Sequence, residues 1–154
     1  MASEFSRRIV VSGFSRTGTP YVVLNIVSAT AAPLVVVIED DLASQKTLAR
    51  VLRVGGYKAA TYASAEEYLA SPPPSAPIGL LLDIHLGGMS GLDLQRRLRN
   101  EGSTIPVIII TAFDDARSRA QAESLGCVAY LSKPCAAETI LGLLNGLKDV
   151  PPKN

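Results

Sequence analysis

The sequence predicts an α/β fold: a doubly wound, five-stranded parallel sheet with five helices on its two faces. Three observations predict it. Five short apolar runs recur after residue 33, helix-period segments separate them, and runs such as Val107-Ile108-Ile109-Ile110 carry no polar alternation. Strand and helix in strict alternation build a parallel sheet, and a strand covered on both faces reads as continuously apolar.

The first run, Leu34 to Ile38, ends on the acids Glu39-Asp40-Asp41. A helix follows from Leu42 to Val54, with Leu48, Val51 and Leu52 on one face, Asp41 suited to its N-cap and Gly55-Gly56 as its stop. Tyr57 to Tyr62 reads as the second strand. Ser64-Ala65-Glu66-Glu67 reads as a capping box that opens a short helix, and Ser71-Pro72-Pro73-Pro74 ends it. Ile78 to Leu82 is the third strand. It runs into a single acid, Asp83, and a glycine-rich loop, Ile84 to Gly91. The third helix spans about Ser90 to Asn100, with Leu92, Leu94 and Leu98 inward and Arg96, Arg97 and Arg99 expected in water. Ile105 to Ile110 is the fourth strand, and Asp114 to Leu125 the fourth helix, closed by Gly126. Cys127 to Leu131 is the fifth strand, and Ala136 to Leu147 the last helix, ahead of Pro151-Pro152.

Residues 1–33 differ in character. They are rich in Ser, Thr and Gly, and Arg7 to Val11 and Tyr21 to Val27 each suit a strand, with Ser15 to Pro20 as a turn. As a signal peptide the segment is poor, because Arg16, Thr17, Gly18 and Pro20 interrupt the apolar region. No apolar run approaches the length of a membrane span. The expected organisation is an extension over 1–33, one domain over 34–148 and a short tail over 149–154. The 154 residues suffice for a single core. A net charge of +1, 5% aromatics and no Trp give no reason to expect direct nucleic-acid binding. Cys127 and Cys135 form no Cys-x-x-Cys pair, and with a single histidine in the chain a zinc site is not expected.

In open parallel sheets, ligands bind outside the carboxyl ends of the strands. That rule selects Glu39-Asp40-Asp41, Asp83, Thr111-Ala112 and Lys133-Pro134. Clustered carboxylates cannot all stay ionised without a counterion, and oxygen ligands with open water positions suit magnesium. Thr111 adds a hydroxyl, and Lys133 a point charge suited to a phosphate oxygen. An acid, a hard cation, a hydroxyl and a lysine together make an aspartyl-phosphate site.

The order of these residues on five successive strands resembles the receiver domain of two-component response regulators. The motifs are Val36-Val37-Ile38-Glu39-Asp40-Asp41, Leu82-Asp83 through Met89-Ser90-Gly91, Ile110-Thr111-Ala112 and Leu131-Ser132-Lys133-Pro134, and the match covers about residues 34 to 147. The resemblance implies the flavodoxin-like strand order 2-1-3-4-5. It implies that Asp83 is the phosphoacceptor and that Asp40, Asp83 and Glu39 hold Mg2+ together with the backbone carbonyl of His85. It further implies that Thr111 bonds the phosphoryl group, that Lys133 pairs with it, and that the bond before Pro134 is cis. Tyr130 stands where the family keeps an aromatic switch residue that follows Thr111. The implied partner is a histidine kinase or a histidine phosphotransfer protein, and the implied location is the cytoplasm. The domain would be a signalling module without separate substrate turnover.

Rival readings exist for these residues. A half-buried strand Tyr is common, and Thr111 alone is an ordinary strand residue. The side chain of His85 reads as a neighbour that controls water access, not as a metal ligand. Two other functions compete with the phosphoacceptor. A pseudo-receiver of the same fold would have no need of Asp40, Asp83, Thr111 and Lys133 together. An aspartyl-phosphate phosphatase or phosphotransferase would place its nucleophile after the first strand, in an Asp-x-Asp motif that this chain lacks there. Two positions depart from the family pattern: Glu39 stands where Asp is commoner, and Gly87 where Pro is frequent, which predicts a looser loop after Asp83. Homodimerisation through the last helices is common in the family, but Leu143, Leu144 and Leu147 suit a core equally well. The sequence fits a stand-alone receiver or a piece of a longer protein.

Overall fold

The structure, a computed structural model, describes residues 31–149. The two strands expected within Arg7 to Val27 lie outside these residues. The elements alternate as β1 (Leu34–Ile38), α1 (Leu42–Val54), β2 (Lys58–Tyr62), α2 (Ala65–Ala70), β3 (Gly79–Leu82), α3 (Gly91–Asn100), β4 (Val107–Thr111), α4 (Ala116–Ser124), β5 (Ala129–Ser132) and α5 (Ala137–Lys148). All four strand pairings are parallel, and the order is β2-β1-β3-β4-β5, as expected.

Four of the strands, β2 to β5, start one or two residues later than the apolar runs suggest, and for β2 and β5 helix termination explains the shift. At the end of α1 the Tyr57 N–H donates to Leu52 O at 2.9 Å, and at the end of α4 the Cys127 N–H donates to Ala122 O at 3.1 Å. Both bonds belong to the same six-residue helix-closing turn, through Gly56 and Gly126. Tyr57 and Cys127 are therefore spent on finishing a helix, and the ladders of β2 and β5 begin after them. The side chain of Asp41 caps α1 by accepting from Ser44 N at 2.8 Å.

The sheet separates two cores. Val36, Ile38, Leu80, Leu82, Val107 and Ile109 face α2, α3 and α4, where Tyr68, Leu92, Leu94 and Leu98 meet them. Val35, Val37, Leu81, Ile108 and Ile110 face α1 and α5, where Leu52, Ile140 and Leu144 meet them. Alternate residues of each strand thus serve opposite cores, as the two-residue period of a strand requires. Leu144 is fully buried, while Leu143 and Leu147 are half-buried against the same core. Among the described residues, no helix is long and apolar enough to cross a membrane.

One expectation about α3 needs correction. Arg96 and Arg97 are exposed, but Arg99 is half-buried. Its guanidinium donates to Leu125 O, Ser103 O and Ile105 O at 3.1, 2.7 and 3.1 Å. These carbonyls lie at the end of α4 and in the turn that leads into β4, so Arg99 ties α3 to its neighbours.

Candidate functional site

Backbone ladders deliver the candidate residues to one edge of the sheet. Glu39 N donates to Tyr62 O at 3.0 Å, Asp83 N to Ile38 O at 3.0 Å, and Lys133 N to Thr111 O at 2.8 Å. These rungs extend the strand pairing one residue past each strand and fix where the side chains start. Gly91 completes the support. A Cβ there would lie 2.1 Å from Asp83 O, so the first turn of α3 rests directly on the backbone of Asp83.

Glu39, Asp40 and Asp83 offer carboxylate oxygens that all lie within 4.8 Å of one another. Glu39 is 2% exposed and Asp83 7%, whereas Asp40 faces solvent. The ammonium of Lys133 bridges the two buried acids, donating to Glu39 Oε2 and, at 2.9 Å, to Asp83 Oδ2. Glu39 Oε1 accepts from Asp41 N at 3.1 Å, and Asp83 Oδ1 from His85 N at 3.1 Å. Burial pushes the Glu39 carboxyl above its usual range despite the bond from Lys133. Burial opposes the charge on Lys133 too, but its bonds to Glu39 and Asp83 outweigh that and hold its pKa above the ordinary value. The peptide bond between Lys133 and Pro134 is cis.

Thr111 is fully buried at the end of β4. Its Oγ1 accepts from Phe113 N at 3.3 Å and lies 3.3 Å from His85 Nδ1. The exposed His85 ring also meets Phe113 edge-on, with centroids 5.0 Å apart. Tyr130 sits in the core beneath α3 and α4, and its buried hydroxyl has no hydrogen-bond partner among the described residues. The guanidinium of Arg119 stacks 4.5 Å above the Tyr130 ring and bonds Asp114 Oδ2 at 2.6 Å. Asp114 also accepts from Ser132 Oγ at 2.8 Å, which links the start of α4 to β5.

The structure therefore brings Glu39, Asp40, Asp83 and Lys133 into one cluster, with His85 and Thr111 at its border. Tyr130 stands apart, one layer into the core. All-oxygen donors with a hard anionic character fit Mg2+, and the exposed Asp40 leaves the cluster open to water ligands. Three contacts escape a reading of the sequence. Gln45 Nε2 donates to Glu39 O at 3.1 Å, Arg119 stacks on Tyr130, and Glu66 Oε1 accepts from Met89 N at 2.6 Å. Helical spacing places Gln45 one turn after the acids, but nothing local signals the other two.

The family model for the response regulator receiver domain matches residues 35–145. Nodulation protein W of Bradyrhizobium diazoefficiens is 35% identical over 113 residues, which cover 73% of this chain and 50% of that protein. The response regulator protein TodT of Pseudomonas putida is 31% identical over 122 residues, covering 79% of this chain and 54% of that protein. The chain thus spans about half the length of these curated relatives. Among solved structures, FixJ-N superposes with a TM-score of 0.71 at 26% identity, covering 80% of this chain and all of that one.

Proposed function

The chain belongs to the response regulator receiver domain family, and from that premise we propose that residues 34–148 form a phosphoacceptor module of a two-component phosphorelay. Asp83 takes a phosphoryl group from a histidine kinase or a histidine phosphotransfer protein in the cytoplasm. The observation that carries this reading is the bridge made by Lys133. Its ammonium lies 2.9 Å from Asp83 Oδ2, inside a cluster of three carboxylates. A mobile point charge beside a buried acid is suited to follow the phosphoryl oxygens once they arrive.

In the transfer, a carboxylate oxygen of Asp83 attacks phosphorus, and the bond from phosphorus to the donor imidazole breaks with its electron pair going to the ring nitrogen. Lys133 faces the charge on the transferred group. Thr111 donates a hydrogen bond from its hydroxyl to a phosphoryl oxygen. Asp40, Asp83 and Glu39, with the backbone carbonyl of His85, would hold Mg2+, which when bound supplies neutralising charge to the phosphoryl oxygens. Movement of Thr111 frees space that Tyr130 follows, and the surface of α4, β5 and α5 reports the state. Residues 1–33 and 149–154 flank the module.

The test is incubation with a small phosphodonor and Mg2+, read by intact mass. Wild type gains a single phosphate and Asp83→Asn gains none. A wild type that stays unmodified under conditions where it binds Mg2+ would point instead to a phosphate-independent interaction module.

A further inference from the structure

The loop from Ile84 to Gly91 follows Asp83 and carries the His85 carbonyl. Gly87 stands in it with no side chain to stiffen the backbone, which predicts a loose loop. The structure shows how the loop is held. Its near end is fixed by His85 N on Asp83 Oδ1 at 3.1 Å, and its far end by Gly91 N on Ile84 O at 2.9 Å. Between them, Glu66 reaches over from α2, 23 residues away in sequence, and its Oε1 accepts from Met89 N at 2.6 Å.

Of two adjacent acids at the start of α2, one is occupied locally. Glu67 Oε2 accepts from Ala63 N at 2.7 Å while Ser64 Oγ accepts from Glu67 N at 3.1 Å, so the helix cap is complete without Glu66. The loop is shaped to receive Glu66. Gly88 has φ +94°, a conformation that disfavours any side chain, and a Cβ there would lie 2.7 Å from Glu66 Oε1. The Met89 amide holds the Glu66 carboxyl below the usual range.

We propose that Glu66 is a positioning residue for the phosphorylation site: its carboxylate braces the loop after Asp83 at Met89 and so sets the place of the His85 carbonyl toward Mg2+. In this chain the brace does what a stiff residue at position 87 would do. The inference rests on the phosphoacceptor reading for its purpose, but the brace itself is measurable without phosphate. Gly87 accommodates a change: a Cβ there meets nothing within 4 Å, and its φ lies outside the left-handed region.

The experiment compares wild type, Glu66→Ala, Glu66→Gln and Glu66→Ala with Gly87→Pro. Three quantities are read: exchange of the Met89 amide without metal, the Mg2+ concentration giving half of the thermal stabilisation, and phosphate uptake at saturating Mg2+. In Glu66→Ala the Met89 amide exchanges faster and the Mg2+ midpoint rises about two- to tenfold, the weight of one hydrogen bond, while uptake at saturation is preserved. Glu66→Gln keeps an acceptor oxygen and behaves like wild type, and Gly87→Pro returns the midpoint. An unchanged midpoint in Glu66→Ala overturns the brace, as does a Glu66→Gln that behaves like Glu66→Ala, since charge and not position would then be the cause. If wild type binds Mg2+ but takes no phosphate, the phosphoacceptor reading fails and the brace stands. If wild type takes phosphate and the Glu66→Ala midpoint is unchanged, the reverse holds.

Discussion

Two neighbouring helices on one face of the sheet are held in opposite ways. α3 buries Leu92, Leu94, Gln95 and Leu98, whereas α4 buries Ala122 alone. A fully buried Leu contributes roughly 1.5–3 kcal/mol, so apolar burial fixes α3 and hardly fixes α4. What holds α4 is polar and sits at its ends. Gln95 Nε2 lies 3.4 Å from both Ala122 O and Leu125 O, Arg99 bonds Leu125 O, and at the other end Asp114 accepts from Ser132 Oγ of β5 while Asp115 caps the helix. Hydrogen bonds exchange partners at little net cost, whereas exposing leucines does not. Of the two helices, α4 should therefore be the easier to displace.

The widest gap between the helices comes from cutting into each anchor. Leu94→Ala should destabilise the domain by about 2–5 kcal/mol in a denaturant titration, with the loss spread over the whole fold. Arg99→Met keeps the stem and removes the carbonyl bonds. It should cost about 1–3 kcal/mol and raise amide exchange in α4 and at the start of β4 more than in α3. Equal loosening of both helices would refute the division. Phosphorylation at saturating Mg2+ should alter amide exchange in α4 and β5 while leaving α3 within error, because Thr111 and Tyr130 border α4. The smallest effect is acidic. Bonds from Arg119 and Ser132 hold Asp114 below the usual carboxylate range, and bonds from Ser118 do the same for Asp115. Their contribution is complete above the unfolded carboxylate pKa of about 3.9 and fades as pH falls through the lowered folded values. Amide protection at the start of α4, taken relative to the intrinsic exchange rate at each pH, should therefore fall at acid pH in wild type, and less so in Asp115→Asn.

Most of the α3 side of this contrast was legible in the sequence, because Leu92, Leu94 and Leu98 repeat with the helical period. The α4 side was not. Its stretch Ala116 to Ser124 has no large apolar residue, and its ties run to residues that are distant in sequence. Arg99 looked like one more solvated arginine on a basic helix end. A local pattern cannot tell a guanidinium in water from one aimed at a carbonyl 26 residues away. Gln95 was unreadable for the same reason, since a fully buried amide among leucines follows from the tertiary neighbours alone. The acids, Thr111 and Lys133 were legible because a parallel sheet fixes which end of every strand is its open end. Glu66 was hidden in plain view, since the capping motif around it explained an acid there.

The bridge made by Lys133 has a further consequence, in charge balance. Three carboxylates face one ammonium, so the cluster is left with a net negative charge that a single divalent ion would cancel. A monovalent ion would leave a deficit, and a trivalent one an excess. An arriving cation need not evict Lys133; it completes a set that Lys133 has begun. Lys133→Met would then leave a site that attracts divalent ions more strongly at long range, yet lacks the cation that meets the phosphoryl group.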